Sequence, residues 1–248
     1  MAPHGTQHDF VFNRCEAYTL GDGFVFGGGV TNATANRCSA HDAEVGFKMY
    51  GDNIVLTNCL GYHNETSNLE LDWDGEAGTT VARNCTFMDS QVYNVWVEHG
   101  SDSLHMYNCI VAGSDNIGLA FEQRNATNYR GDYNIFHDDD GEMVISVGYE
   151  DEFTVAQVEA GNWTAYSGQD QHSFVCSDAN SQLFEDLANR DLHLKAGSMA
   201  IDAGTSENAP SVDRDGVSRP QGAGFDIGAY ERKWSENEGA APVGPGGY

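Results

Sequence analysis

Lysine is nearly missing from this sequence: Lys48, Lys195 and Lys233 are the three in 248 residues. With arginine there are 12 basic residues against 38 acidic ones, a formal net charge of −26. Such a charge repels phosphate backbones and anionic bilayers, so no nucleic acid is expected as a partner. It suits a surface that works in concentrated salt, where screening shortens the reach of self-repulsion, and a halophilic source is expected. Long apolar runs are missing too. Nothing approaches the roughly 18 consecutive apolar residues of a membrane-spanning helix, so no membrane insertion is expected. Helical periodicity is absent, and 29 glycines among short apolar segments exclude a helical bundle. No P-loop, G-x-S-x-G elbow or dinucleotide fingerprint occurs, and the histidines lack metal-ligand spacing. Met1 to Gly5 lead into repeat-like sequence without a basic or apolar leader. The expectation is a mature form or fragment of an extracellular or cell-surface protein.

What is present is a repeat. Cys15, Cys38, Cys59, Cys85 and Cys109 follow one another at steps of 23, 21, 26 and 24 residues, mostly after Asn or Asn-Arg. A second marker keeps the same step: Gly23–Phe26, Gly46–Met49, Asn68–Leu71, Asn94–Val97 and Gly118–Phe121, each Gly or Asn, apolar, any, apolar. Leucine-rich repeats share this period, but their leucine-dense consensus is missing. The remaining solution is all-β: a right-handed parallel β-helix of about six rungs, near 8–30, 31–53, 54–78, 79–102, 103–127 and 128–150, with a C-terminal cap. Cysteines stacked in one column point the same way, which suits buried free thiols better than disulfides.

Alternation then separates two faces. With Phe24, Phe47, Leu69, Val95 and Leu119 turned inward, one outer ladder reads Val25, Lys48, Glu70, Trp96, Ala120. Its neighbour reads Gly27, Tyr50, Asp72, Glu98, Glu122, with Asp74 and His99 near the edge. Aromatic and acidic side chains in line suit a sugar chain lying along the coil, so Tyr50, Glu70, Trp96, Glu98 and His99 are the expected substrate contacts. Lys48 is also read as a surface ion pair with Glu70, a contribution of about 0–1 kcal/mol. Asp72 with Glu98 makes a carboxylate pair of the kind glycoside hydrolases use. The run His137 to Glu142 is acidic enough for calcium but lacks the alternate spacing of a loop site, and it is read as a solvated turn.

The period fails over 151–182, where a short helix near Thr154 to Gly161 is expected as a lateral insertion within a unit spanning 1–182. Residues 183–231 contain Gly197-Ser198-Met199-Ala200-Ile201-Asp202-Ala203-Gly204, Asp213-Arg214-Asp215-Gly216, Arg219-Pro220 and Phe225 to Glu231. This block resembles the segment that closes many extracellular right-handed β-helix proteins, with Asp213, Asp215, Arg219 and Asp226 read as an ion-pair lock. A Gly/Pro-rich tail, 232–248, is expected to be disordered. Upstream, Gly21-Asp22-Gly23-Phe24 and Gly46-Phe47-Lys48-Met49 resemble the repeats of pectate-lyase-like polysaccharide lyases of family nine. That resemblance implies Lys48 as the catalytic base and Ca²⁺ as the cofactor, with Asp22 as a ligand and Asp42, Glu44 and Asp72 as the further carboxylates. Ala43-Glu44-Val45-Gly46 stands where the family has paired aspartates, a departure from its pattern. The base must be a neutral amine, whereas Glu70 and Asp72 favour the ammonium, so elimination requires calcium to neutralise them. The leading expectation is a calcium-dependent lyase acting on an acidic polysaccharide. Beside it stand a non-catalytic carbohydrate-binding β-helix and a paired-carboxylate glycoside hydrolase.

Overall fold

The computed structural model describes residues 7–19, 21–72, 78–98, 102–114, 117–122, 126–138, 143–148, 150–176 and 180–233. The chain winds through three parallel sheets, one strand of each per rung. The first sheet stacks Val11–Asn13, Thr34–Asn36, Ile54–Thr57, Thr79–Arg83, Ser103–Tyr107 and Tyr129–Asp132. The second stacks Glu16–Tyr18, Ser39–His41, Leu60–Tyr62, Thr86–Ser90, Ile110–Ser114, Ile135–His137 and Phe174–Val175. The third stacks Asp22–Phe26, Val45–Met49, Ser67–Leu71, Tyr93–Val97, Ile117–Phe121 and Met143–Val147. This is the expected right-handed parallel β-helix, with six rungs.

The repeat markers have identifiable jobs. Between the first and second sheets every rung turns through one left-handed residue: Arg14, Arg37, Asn58, Asn84, Asn108 and Tyr133, at φ between 48° and 57°. Asparagine tolerates that conformation better than most side chains, which explains its place before the cysteine. Cys38, Cys59, Cys85 and Cys109 then point into the coil, buried and free of disulfides. In the sixth rung Asn134 takes the cysteine's place, and its amide accepts from Cys109 N at 2.9 Å and donates to Met106 O at 3.0 Å. The second marker begins with Asn or Gly for a different reason. The side chains of Asn68 and Asn94 fill a corner inside the coil, with Asn68 donating to Asn94 Oδ1 at 2.7 Å and Asn94 to Ala112 O at 3.0 Å. At Gly46 the same space is taken: a Cβ would stand 2.6 Å from Asn68 O.

The inner core runs the length of the coil through Phe47, Leu69, Phe87, Val95, Val111, Leu119 and Phe136. A second core lies outside the coil. Leu60, Tyr62, Met88, Ile110 and Ile135 face outward from the second sheet and are buried under Leu183, Phe184, Leu192, Leu194, Ile201 and Ile227. The segment 183–231 is thus a lateral strap. It is pinned along the left-handed corner, where Asn58 donates to Val212 O at 2.9 Å, Asn84 to Asp226 O at 3.0 Å and Asn108 to Thr205 O at 2.9 Å.

The end of the coil is closed by the stretch read from sequence as a lateral insertion. Asp151–Thr154 folds back antiparallel onto Met143–Val147, followed by helices Val155–Glu159 and Asn162–Ser167. Trp163 enters the inner core beside Phe121, Tyr129 and Phe153, and its Nε1 donates to Asp170 Oδ2 at 2.8 Å. The sequence assigned closure to 183–231. The structure divides that work, because the apolar outer face of the second sheet needs a cover of its own. The expected lock in the strap exists with a different partner: Arg219 pairs with Glu231 at 2.8 Å, both fully buried, while Asp213 accepts from Val217 N and Glu231 N. The tail from 234 onward lies outside the described residues.

Trp163→Ala should cost about 3–5 kcal/mol, since it removes a fully buried ring and takes the indole donor from Asp170 Oδ2. A urea titration followed by far-ultraviolet circular dichroism checks this; a midpoint equal to that of the native protein would mean the helices do not seal the coil.

Candidate functional site

The third sheet aligns the two predicted ladders. Val25 pairs with Lys48, Lys48 with Glu70, Glu70 with Trp96 and Trp96 with Ala120. Just beyond these strands, the backbone bonds from Tyr50 N to Phe26 O, Asp72 N to Met49 O, Glu98 N to Leu71 O and Glu122 N to Val97 O stack Tyr50, Asp72, Glu98 and Glu122 in the neighbouring column. Parallel rungs about 4.8 Å apart bring these side chains into contact.

Glu70 is the anchor. Its side chain is 3% exposed; Oε1 lies 2.8 Å from Lys48 Nζ, and Oε2 accepts from Ser67 Oγ at 2.9 Å. Lys48 Nζ also reaches Asp72 Oδ2 at 3.1 Å and stands 5.6 Å from the centre of the Tyr50 ring. Burial alone pulls the Lys48 pKa down, but the Glu70 hydrogen bond and charge, then Asp72 and Tyr50, outweigh it. The net shift is well above the ordinary lysine value. One rung on, Glu98 is hydrogen-bonded to Asp72. That bond pushes the Glu98 pKa up, helped by partial burial and by the charges of Asp72, Glu122 and Glu70, to about 7. The hydrogen bond to Asp72 and the surrounding negative charge thus favour the protonated form of Glu98. Trp96 packs on Tyr93 beside them, ring centres 5.3 Å apart.

The family model for a right handed beta helix region matches residues 5–146, more than half of the chain. The chain belongs to that family. No curated protein and no solved structure matches it. Membership accounts for the coil and its ladders, while the chemistry of this β-helix protein rests on its own side chains.

Lys48 is paired with two carboxylates, which favour its ammonium form over the neutral amine that a base requires. The carboxylates assigned to calcium are split across the sheet. Asp22 and Glu44 stand at the start of the third-sheet strands, and Asp42 in the corner before them. Asp72 follows the far end, about five residues or roughly 16 Å away. Asp42 is bound to Arg190 at 2.6 and 3.0 Å and to His41 Nδ1 at 2.8 Å. Among the described residues no three His, Cys, Asp or Glu side chains gather where they could hold a metal ion. Among the described residues, the carboxylates expected at calcium do not gather beside Lys48. His99, Asp74 and the run 139–142 lie outside the described residues.

Sequence reasoning missed Ser67, which fixes the Glu70 carboxylate, and Tyr93, which supports Trp96. Ser67 occupies the ladder position of Val45 and Tyr93, so nothing in the repeat marks it as polar by design.

The Glu98 proton gives a pH dependence with a defined sign. The folded pKa, about 7, lies above the ordinary 4.5, so the stability tied to this proton is complete below about pH 4.5 and is lost as pH rises through 7. Asp226 in the strap, raised by burial to about 7, titrates in the same window. Melting temperature should fall from pH 4.5 to 8, and Glu98→Gln should fall less steeply over that range. Parallel curves for the two proteins would mean that folding does not raise the Glu98 pKa.

Proposed function

We propose that this β-helix protein binds a polysaccharide along the outer face of its third sheet and hydrolyses a glycosidic bond there, with Glu98 as the acid. The observation that carries the reading is the hydrogen-bonded Asp72–Glu98 pair on a face that also presents Trp96 and Tyr50. A carboxylic acid whose pKa lies near operating pH is the group that can protonate a leaving oxygen. Lys48 supplies the counter-charge to Asp72 at 3.1 Å. In the reaction Glu98 gives its proton to the glycosidic oxygen as the bond to the anomeric carbon breaks. Water attacks that carbon, and the water's proton returns to a carboxylate of the pair.

Hydrogen-bonded carboxyls are closer than the about 5 Å that separates the pair in retaining enzymes. Substrate must therefore part them, the glycosidic oxygen replacing Asp72 as the acceptor of the Glu98 proton. The acidity of the face also bears on the substrate. Glu70, Asp72, Glu98 and Glu122 repel a uronate carboxylate, so a neutral sugar at the point of cleavage suits this face better than the acidic polymer expected from sequence. Elimination at Lys48 would need the proton held by Glu70 and Asp72 to be released first. A non-catalytic carbohydrate-binding role would use the same aromatic and acidic face without proton transfer.

Incubation with xylan, galactan, β-glucan, pectate and alginate separates the three. New reducing ends without unsaturated uronate are expected on at least one neutral polymer. Glu98→Gln should lower kcat by about 100-fold or more while still binding the polymer. Unsaturated uronate that disappears in Lys48→Ala would replace hydrolysis with elimination. Retention of a polymer on an affinity gel without any cleavage would leave a binding module.

A further inference from the structure

The left-handed corner changes character along the coil. In rungs three to five it carries Asn58, Asn84 and Asn108, whose buried amides hold the strap. In rungs one and two it carries Arg14 and Arg37, at φ 55° and 57°. Corner geometry gives no reason for arginine, since asparagine and glycine suit a positive φ better. Arg214, on the strap, reaches the same place and donates from Nη1 to Cys38 O at 3.0 Å. Arg37 lies against the strap turn, where a Cβ on Gly216 would stand 3.8 Å from its Nη1. Arg14, Arg37 and Arg214 line one open cleft of about 400 Å³, together with Cys15, Glu16, Ser39 and Asp215.

This concentration of positive charge is unusual in a chain with 12 basic and 38 acidic residues. Arg190, Arg219 and Arg232 each pair with a carboxylate at 2.6 to 2.8 Å. Among the described residues, Arg14, Arg37 and Arg214 form no ion pair. The two carboxylates that line the cleft serve histidines instead: Glu16 Oε1 lies 3.2 Å from His41 Nε2, and Asp215 Oδ2 lies 2.9 Å from His193 Nε2. Arg37 Nε is buried without a hydrogen-bond partner. Three guanidinium groups around one cleft, none in an ion pair of its own, can offer forked hydrogen bonds to an oxyanion.

We propose that the cleft at the first two rungs is a binding site for an oxyanion group, a sulfate or phosphate ester or a carboxylate, carried on the ligand. Arg14 and Arg37 grip the group from adjacent rungs, and Arg214 closes it from the strap. The site lies at the corner between the first and second sheets, away from the Asp72–Glu98 pair on the third. Its occupancy is read without turnover, so it stands or falls independently of the hydrolytic reading.

The test is a melting and calorimetric titration of the native protein with sodium sulfate, sodium phosphate and sodium galacturonate, each against sodium chloride at equal ionic strength. At least one of the three should bind saturably and raise the melting temperature beyond chloride, and which one does so identifies the group. The double variant Arg14→Asn/Arg37→Asn takes the residue type of the next three rungs, so without anion it should melt at or above the native temperature. Its affinity for the same anion should fall more than tenfold. The single variants are measured beside it, so that a fold defect in the double still leaves a binding readout; each should weaken binding. Equal stabilisation by chloride, or undiminished affinity in the single variants, would overturn the proposal.

Discussion

Each rung turns its first corner through a single left-handed residue, and everything else in the molecule depends on that turn keeping its place. A rung that lost the conformation would shift its second and third strands by a residue, and in a strand such a slip exchanges the inner and outer faces. The ladders that place Lys48 over Glu70 and Asp72 beside Glu98 are downstream of this constraint. Asparagine serves it twice in rungs three to five. It accepts a positive φ, and its amide reaches outward to the carbonyls of Val212, Asp226 and Thr205. One residue type thus fixes the register of the coil and the seat of the strap.

The electrostatics of the third sheet follow from one buried carboxylate. Glu70 has both oxygens satisfied, one by Lys48 and one by Ser67, so its charge is paid for locally. Removing Lys48 would leave that charge buried and unpaired, the arrangement that destabilises most. Lys48 thus supplies the counter-charge beside which the Glu70 carboxylate is buried. With Lys48 engaged by Glu70 and Asp72, the next carboxyl along, Glu98, has no cation of its own within the ladder and retains a proton instead. The pattern of charge neutralisation along the column decides which carboxyl has the raised pKa.

Much of this was legible in the sequence, and for a physical reason. The rung period shows because every turn must present the same corner, and the two-residue alternation shows because each strand has one face in the core. Those two periods were enough to place Lys48, Glu70, Trp96 and Ala120 in one ladder. They could not place the strap. Leu60, Met88, Ile110 and Ile135 are outward-facing but apolar, so alternation is lost in the second sheet and its strands read as simply buried. Nor could proximity in sequence place a metal site: Asp42 and Glu44 lie close to Lys48 along the chain, yet they stand before the start of its strand while Asp72 follows the far end of the next. Arg14 and Arg37 repeat at the cysteine step, but their meaning as a pair emerges with Arg214, 177 residues beyond Arg37.

The net charge of −26 raises a question about any site that depends on local fields. At about 1 M salt the Debye length is about 3 Å, less than the roughly 4.8 Å between rungs. Interactions across an exposed rung are then screened, while direct contacts persist. For Glu98 this divides the causes of its raised pKa. The charges of Glu122 and Glu70 weaken as salt rises, whereas the hydrogen bond to Asp72, the largest contribution, does not act through the solvent. The proton on Glu98 is thus held chiefly by a contact that salt leaves in place. The same reasoning separates the two ends of the molecule: salt reduces the long-range repulsion that would keep an anion from Arg14 and Arg37, and leaves the forked hydrogen bonds that would hold it.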